Sequence, residues 1–360
     1  MNDGEKKVLL VTFSDNADHQ DITFGMFEQL YPEYDVWLMC IKKPRVGLNT
    51  NNHVRFVDCP ERPGIVRKTF KLHTLNREIL WIWRQKFDVI FFETLHTWNL
   101  PIMLFCHRKS RIYQMIHDVV PHTGDKQAKS IDLMNRVVCK LADYIVLVNQ
   151  KYLARVSQLY GISSERVRHV DMWRRFPEYT VPRHTGKVLF FGRLNPYKGV
   201  DNLLEIVTQC PDIRFSVIGR MDPSVESLVR QLEKRQNVEV NTGYVTDAEM
   251  KEAFVEADWV ILPYNSATQS GVVIDAYRYA RPVIAFNVGA LSEQIEDGVS
   301  GYLLPKKSNE LFARKLKQLV ALKREQYDTL SRNAYEFGVN KYSSQRAAKR
   351  FLSLIQERVI

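Results

Sequence analysis

At 360 residues, with 45% hydrophobic and 26% charged residues, the chain is long enough for two domains of ordinary globular composition. Its formal charge of +10 is shared by both halves. A diffuse excess of that kind suits an anionic ligand or an acidic membrane surface and argues against nucleic acid, which calls for a basic stripe or a recognisable motif.

No charged-then-apolar leader opens the sequence, and apolar runs such as Leu100–Cys106 fall far short of the roughly 20 residues that span a bilayer. A cytoplasmic protein is therefore expected. Five scattered cysteines (Cys40, Cys59, Cys106, Cys139 and Cys210) lack metal-ligand spacing and read as reduced core thiols.

In chain order, Val8–Phe13, Asp35–Met39, Val54–Val57, Asp88–Phe92, Ile112–Ile116 and Tyr144–Val148 read as strands, with helical patterns between most of them. Such alternation predicts a doubly wound α/β sheet with parallel strands. The loop after the first strand, Ser14–Asp21, is not Gly-x-Gly-x-x-Gly, which disfavours a nicotinamide or flavin enzyme. Between 65 and 84 a helical stripe of Leu72, Leu75, Ile79 and Ile82 is accompanied by Arg67, Lys68, Lys71, Arg77, Arg84, Trp81 and Trp83. It either packs on the sheet or lies on an anionic membrane. Asp171–Lys187, with Pro177 and Pro182, breaks the periodicity and reads as a linker.

The second half repeats the pattern at Lys187–Phe191, Ile213–Ile218, Val238–Val240, Asp258–Leu262, Val283–Phe286 and Tyr302–Leu304. Two similar α/β halves imply a cleft faced by the carboxyl ends of their strands. Strand Lys187–Phe191 runs into Gly192-Arg193-Leu194-Asn195-Pro196-Tyr197-Lys198-Gly199. Arg193 offers a planar fork of donors to phosphate oxygens, and Lys198 a mobile point charge. The spacing is not that of a Walker A loop. Further on, Pro263 to Ser270 forms a loop of small polar residues, Ser270 takes an N-cap position, and Gly271-Val272-Val273 open a helix to about Ala280. The first amides of a helix have no internal partner and attract anions. Asp275, one turn in, either complements the helix dipole or accepts hydrogen bonds from a polyol such as ribose.

Phe191-Gly192-Arg193-Leu194 with Lys198-Gly199, Pro263 through Ala276, Pro282–Ala285 and Asn287–Glu293 together resemble the retaining GT-B glycosyltransferases of family 4. The resemblance is specific over about 187–304 and one of architecture before that. It implies two Rossmann-like doubly wound domains facing a cleft. The first spans 1–178 and is completed by a C-terminal helix at about 341–360; the donor domain spans 184–340. It also implies that Arg193 and Lys198 hold the donor diphosphate and that Asp275 stands where a Glu binds the ribose. Gly192, Thr268, Gln269, Ser270, Gly271 and Val272 then line the donor sugar and phosphates. Tyr244 and Val245 lie near the base, and Gly219 near the phosphate or base.

Two departures qualify the match: the first Glu of the family's Glu-x7-Glu falls at Ala267–Thr268, and the usual Gly-Gly is Gly289-Ala290. In the first half, His117-Asp118 either caps the next helix or, as its resemblance to the family's His-Asp segment implies, lies beside donor sugar and acceptor; Glu93 and His96 end another strand and belong either to an ordinary loop or to the acceptor side. The implied reaction moves a sugar, with retention, from a UDP- or GDP-sugar to a glycan or lipid-linked glycan in cell-surface polysaccharide synthesis. It needs no metal and no cofactor, no Asp-x-Asp standing at a strand end. The setting would be cytoplasmic, with peripheral contact at the inner face of the membrane through 65–84. A sugar-nucleotide epimerase or phosphorylase of the same fold, or a non-catalytic nucleotide-binding subunit, are the alternatives.

Overall fold

The computed structural model describes residues 6–48, 52–61, 64–117, 119 and 128–356. The chain divides into two compact units, one formed by 1–175 with 342–360 and the other by 176–341. Each is built on one wholly parallel sheet.

The first unit carries β1 (Val8–Thr12), β2 (Val36–Ile41), β3 (Val54–Val57), β4 (Val89–Phe92), β5 (Arg111–Ile116), β6 (Tyr144–Leu147) and β7 (Val167–His169). They are ordered β3-β2-β1-β4-β5-β6-β7. Apolar runs such as Val8–Val11 and Val89–Phe92 are buried on both faces, as parallel strands covered by helices require. The short edge strand β7 escapes sequence reading because Arg168 and His169 leave it no apolar pattern.

The Leu72–Gln85 helix packs Leu75, Ile79 and Ile82 on the core, whereas Leu72 is 60% exposed. Trp81 also turns inward, with Arg55 stacked 4.4 Å over its ring, while Trp83 stays on the surface beneath Lys109. The linker reading of 171–187 needs correcting at its start. Trp173 is buried and donates its indole N–H to the Ile22 carbonyl at 2.7 Å, which pins the segment to the first unit.

The second unit carries β8 (Lys187–Phe191), β9 (Arg214–Ile218), β10 (Val238–Asn241), β11 (Trp259–Leu262), β12 (Val283–Phe286) and β13 (Gly301–Leu304), ordered β10-β9-β8-β11-β12-β13. The Ser344–Gln356 helix belongs to the first unit and buries Ala347, Phe351, Leu354 and Ile355 there. Its Phe351 ring lies edge-on to Phe91 at 5.0 Å and Tyr113 at 6.2 Å. All five cysteines are buried and unpaired.

Phe351→Ala is expected to destabilise the first unit by about 3–5 kcal/mol, the usual loss for a buried aromatic. Denaturant titration of the full chain, followed by near-ultraviolet dichroism, checks this; an unchanged first transition would show that the helix is dispensable to that core.

Candidate functional site

In the second unit the chain leaves β8 toward β9 and later returns to the other side of β8 as β11. The carboxyl ends of β8 and β11 therefore flank the point where strand order reverses, the usual place for a ligand on an open parallel sheet. The 192–199 loop follows β8 and the 263–270 loop follows β11, and hydrogen bonds zip the two together. The Asn265 and Ser266 amides donate to the Tyr197 carbonyl at 2.8 and 3.2 Å. Asn265 Nδ2 donates to Pro196 O and Asp201 Oδ1, both at 3.0 Å. Asn202 Nδ2 donates to Pro263 O at 2.9 Å and to Asn265 Oδ1 at 3.1 Å.

Two glycines let the β11 loop sit so close to its neighbours. A Cβ on Gly199, where φ is 69°, would lie 1.9 Å from the Pro263 oxygen; one on Gly289, where φ is 59°, would lie 1.5 Å from the Ala267 oxygen. Any side chain would thus meet both an unfavourable backbone angle and a backbone atom. The Ala290 amide closes the second contact, donating to Ala267 O at 3.2 Å.

The cationic groups meet inside this frame. Lys198 Nζ donates to the Tyr264 hydroxyl at 3.0 Å and sits 4.9 Å over its ring. The same Nζ is 2.6 Å from the point a Cβ on Gly192 would occupy, and Val272 Cγ2 is 3.6 Å from that point. Gly192, Lys198 and the first turn of the Gly271–Arg278 helix therefore converge. Gly219 backs them, the point for its Cβ lying 2.0 Å from Gly192 O. Arg193 is exposed beside Gly192, with no hydrogen bond or ion pair to a described residue.

Ser270 does hold the N-cap position, but its hydroxyl does not cap. Gln294 clamps its backbone instead, accepting from the Ser270 amide at 2.7 Å and donating to the Ser270 carbonyl at 3.0 Å. The Ser270 hydroxyl is left buried with no hydrogen-bond partner, a state that costs about 1–3 kcal/mol and that a bound polar group would relieve. Thr268, Gln269 and Gly271 are half-buried around it. Asp275 is buried one turn inside the helix and bonded to Arg278 Nη1 at 3.1 Å, a partner not assigned from the sequence. Tyr244, 80% exposed, and Val245 follow the outer strand β10, two strands from β8.

The first unit has its own reversal point between β1 and β4. Asn16 starts the Ala17–Leu30 helix just after β1, its side chain accepting from the Asp18 amide at 2.8 Å, and so places His19 in the first turn. His19 Nδ1 and His117 Nε2 each lie 2.8 Å from Glu93 Oε1, while Glu93 Oε2 accepts from Thr12 Oγ1 at 3.3 Å. The two imidazoles stand edge to face, centroids 4.8 Å apart.

Burial alone would push the Glu93 carboxyl up. The charge on His19 and the hydrogen bonds from His117 and His19 overcome that and hold it well below the usual carboxylate range. Burial likewise pulls His19 down, but Glu93 outweighs it and the imidazole stands above its ordinary value. Both histidines line a cavity of about 310 Å³ together with Phe13, Leu95, Ile131 and Met134.

Among the acceptor-side residues, Glu93 is completely buried, so it serves the two imidazoles and is not itself a contact for a ligand. His96 requires a correction. It is buried, its Nε2 faces the Pro60 carbonyl at 3.2 Å and its Nδ1 accepts from the Trp98 amide at 3.1 Å, so it fastens a loop; burial lowers its pKa to about 4. Asp118 lies outside the described residues. His19, not singled out from the sequence, is the group the structure adds; its only signal was its place in the stretch that follows the first strand.

A family model described as "Glycosyl transferases group 1" matches residues 185–321. The chain is 28% identical over 242 residues to an uncharacterized 41.2 kDa protein in the cps region of Klebsiella pneumoniae, covering 61% of this chain and 65% of that one. Over 126 residues it is 30% identical to the GDP-mannose:glycolipid 4-beta-D-mannosyltransferase of Xanthomonas campestris pv. campestris, covering 33% and 35%. The matches thus span less than two thirds of both relatives. The crystal structure of Anabaena Alr3699/HepE in complex with UDP superposes with a TM-score of 0.69 at 15% identity, over 97% of this chain and 99% of that one. Residues 185–321 therefore belong to the group 1 glycosyltransferases, on a chain with the two-domain Rossmann-like GT-B fold.

Proposed function

We propose that this chain transfers a sugar from a nucleoside-diphosphate sugar, with UDP or GDP as the nucleotide, to a hydroxyl of a glycan or lipid-linked glycan in cell-surface polysaccharide synthesis. The observation that carries the proposal is the convergence of Lys198, Gly192 and the helix start at Val272, with Arg193 next in the chain. Breaking the sugar–phosphate bond builds negative charge on the β-phosphate. Cations and amides already fixed at that place stabilise the charge more as it grows than before, and so speed the step. In this reading Arg193, Lys198 and the amides of Gly271 and Val272 receive the diphosphate, and no metal ion is needed to do so. Ser270 hydrogen-bonds it as well, and Asp275 takes the ribose hydroxyls. The similar proteins include a UDP complex and a GDP-mannose:glycolipid mannosyltransferase, which supports the ligand class.

Resemblance to family 4 favours retention of configuration, with the departing phosphate taking the acceptor proton.

For a lipid-linked acceptor, the exposed residues at 65–72 supply a membrane contact. Ile65, Val66, Phe70 and Leu72 are 77%, 47%, 68% and 60% exposed, and Gly64 beside them lines the histidine cavity. Lys68 and Lys71 are bonded to Glu61 and Asp58, which leaves Arg67 as the unpaired cation of the stretch among the described residues. Insertion here is therefore driven by apolar area rather than charge. Among the described residues no helix is long and apolar enough to cross a membrane.

Arg193→Ala and Lys198→Ala are each expected to lower kcat for transfer about 10²–10³-fold with the fold intact, the usual effect of removing one preorganised charge partner. Near-normal turnover in either variant would count heavily against the assignment. Asp275→Ala should weaken UDP or GDP binding by about tenfold or more in calorimetry, the worth of a charged hydrogen bond. Replacing Ile65 and Phe70 together by Asp should abolish co-sedimentation with phospholipid vesicles while leaving nucleotide affinity unchanged; continued sedimentation would remove this stretch from the membrane contact.

A further inference from the structure

The two cations of the 192–199 loop stand in different surroundings. Arg193 is exposed, whereas Lys198 is half-buried and its ammonium is engaged twice by one side chain. Nζ donates to the Tyr264 hydroxyl at 3.0 Å and lies 4.9 Å from the centroid of the same ring. A lysine stem turns about four single bonds, so an unrestrained ammonium meets a phosphate only as a wandering point charge. Tyr264 can remove that freedom because it has little of its own. It is 2% exposed, and its ring meets Phe190 of β8 edge-on at 6.4 Å. The chain is anchored on both sides of it: Pro263 O accepts from Asn202 Nδ2 at 2.9 Å, and the Asn265 amide donates to Tyr197 O at 2.8 Å.

The other end of Lys198 is fixed as well, its backbone amide donating to Asn195 Oδ1 at 3.2 Å. Gly192 keeps the place of the ammonium open. A Cβ there would come within 2.6 Å of Nζ and push it off the Tyr264 hydroxyl. The chemistry of the partner matters as much as its position. A carboxylate on Lys198 would cancel the charge that a phosphate needs, whereas a phenol hydroxyl holds the ammonium and leaves the charge intact. An ammonium has three donors, and the hydroxyl takes one, leaving two for a ligand. A cation held still with its charge uncancelled is what an anion site requires.

We propose that Tyr264 is the positioning residue of the diphosphate site: its hydroxyl and ring hold the Lys198 ammonium ready for the ligand, and it acts through Lys198 instead of touching the ligand itself. The inference rests on the reading that Lys198 receives the diphosphate of a nucleotide. Tyr264→Phe is the discriminating substitution, because it removes the hydroxyl and keeps the ring that packs on Phe190.

The test is a double-mutant cycle on the full chain, with UDP and GDP as the probes and calorimetry as the readout. Thermal melting establishes that each variant is folded. Tyr264→Phe is expected to weaken binding of whichever nucleotide the parent takes by about tenfold, the scale of a hydrogen bond to a charged group. In a Lys198→Ala background the same substitution is expected to change affinity by less than about twofold, because the group it positions is gone. A merely structural tyrosine would give the same loss in both backgrounds, and that result overturns the proposal. A folded Tyr264→Phe chain that binds within about twofold of the parent overturns it too, and either outcome leaves the nucleotide site standing. A parent chain that binds neither UDP nor GDP overturns the diphosphate reading and this one with it.

Discussion

The close approach of two backbones governs the second unit. The loop after β11 is held between Gly199 and Gly289, at distances that admit no side chain, and amide-to-carbonyl hydrogen bonds lock it to the loop after β8. Without that contact the helix start at Gly271 would have no fixed relation to Lys198 or Gly192. Electrostatic stabilisation of a phosphate depends on donors that do not need to reorganise when the charge appears. Rigidity of the two loops, more than the number of cations, is what suits the place to the proposed role of holding a phosphate.

The first unit is organised around a buried charge. Placing Glu93 out of solvent is costly unless donors surround it, and His19, His117 and Thr12 supply them. Each donor comes from a different strand end or from the helix start after β1. The carboxylate thereby acts as a tie across the reversal point of the sheet, and the same tie orients two imidazoles toward one cavity. The two units gather different groups at the same architectural place, the crevice at a change of strand order: cations and amides in the second, imidazoles on a carboxylate in the first.

Much of this was legible in the chain. Strands covered on both faces announce themselves as short apolar runs, so the expected strand centres agree with β1 to β6 and β8 to β13, shifting by a residue or two at their ends. The group 1 segment was legible too, because Gly192 to Gly199 and Pro263 to Ala276 are contiguous stretches whose residue types carry their own meaning. The exceptions have physical causes. The edge strand β7 lacks an apolar pattern, and Trp81 turned inward because Arg55 and the core offered its ring more contact than the surface did. His96 stands at a strand end, where a loop residue and an acceptor-side group look alike in sequence, and both of its nitrogens face backbone groups.

Local physics in the sequence was sufficient to determine the two parallel α/β sheets, the helix start at Gly271 and the cationic pair Arg193 and Lys198, since each depends on neighbours within a few residues. Tertiary structure alone decided which distant groups meet. Gln294 displaced the Ser270 hydroxyl from its capping role, Arg278 took a place on Asp275, and His19 joined Glu93 and His117. Those encounters depend on strand order, because side chains about 75 and 100 residues from His19 become neighbours only when β4 and β5 are laid beside β1.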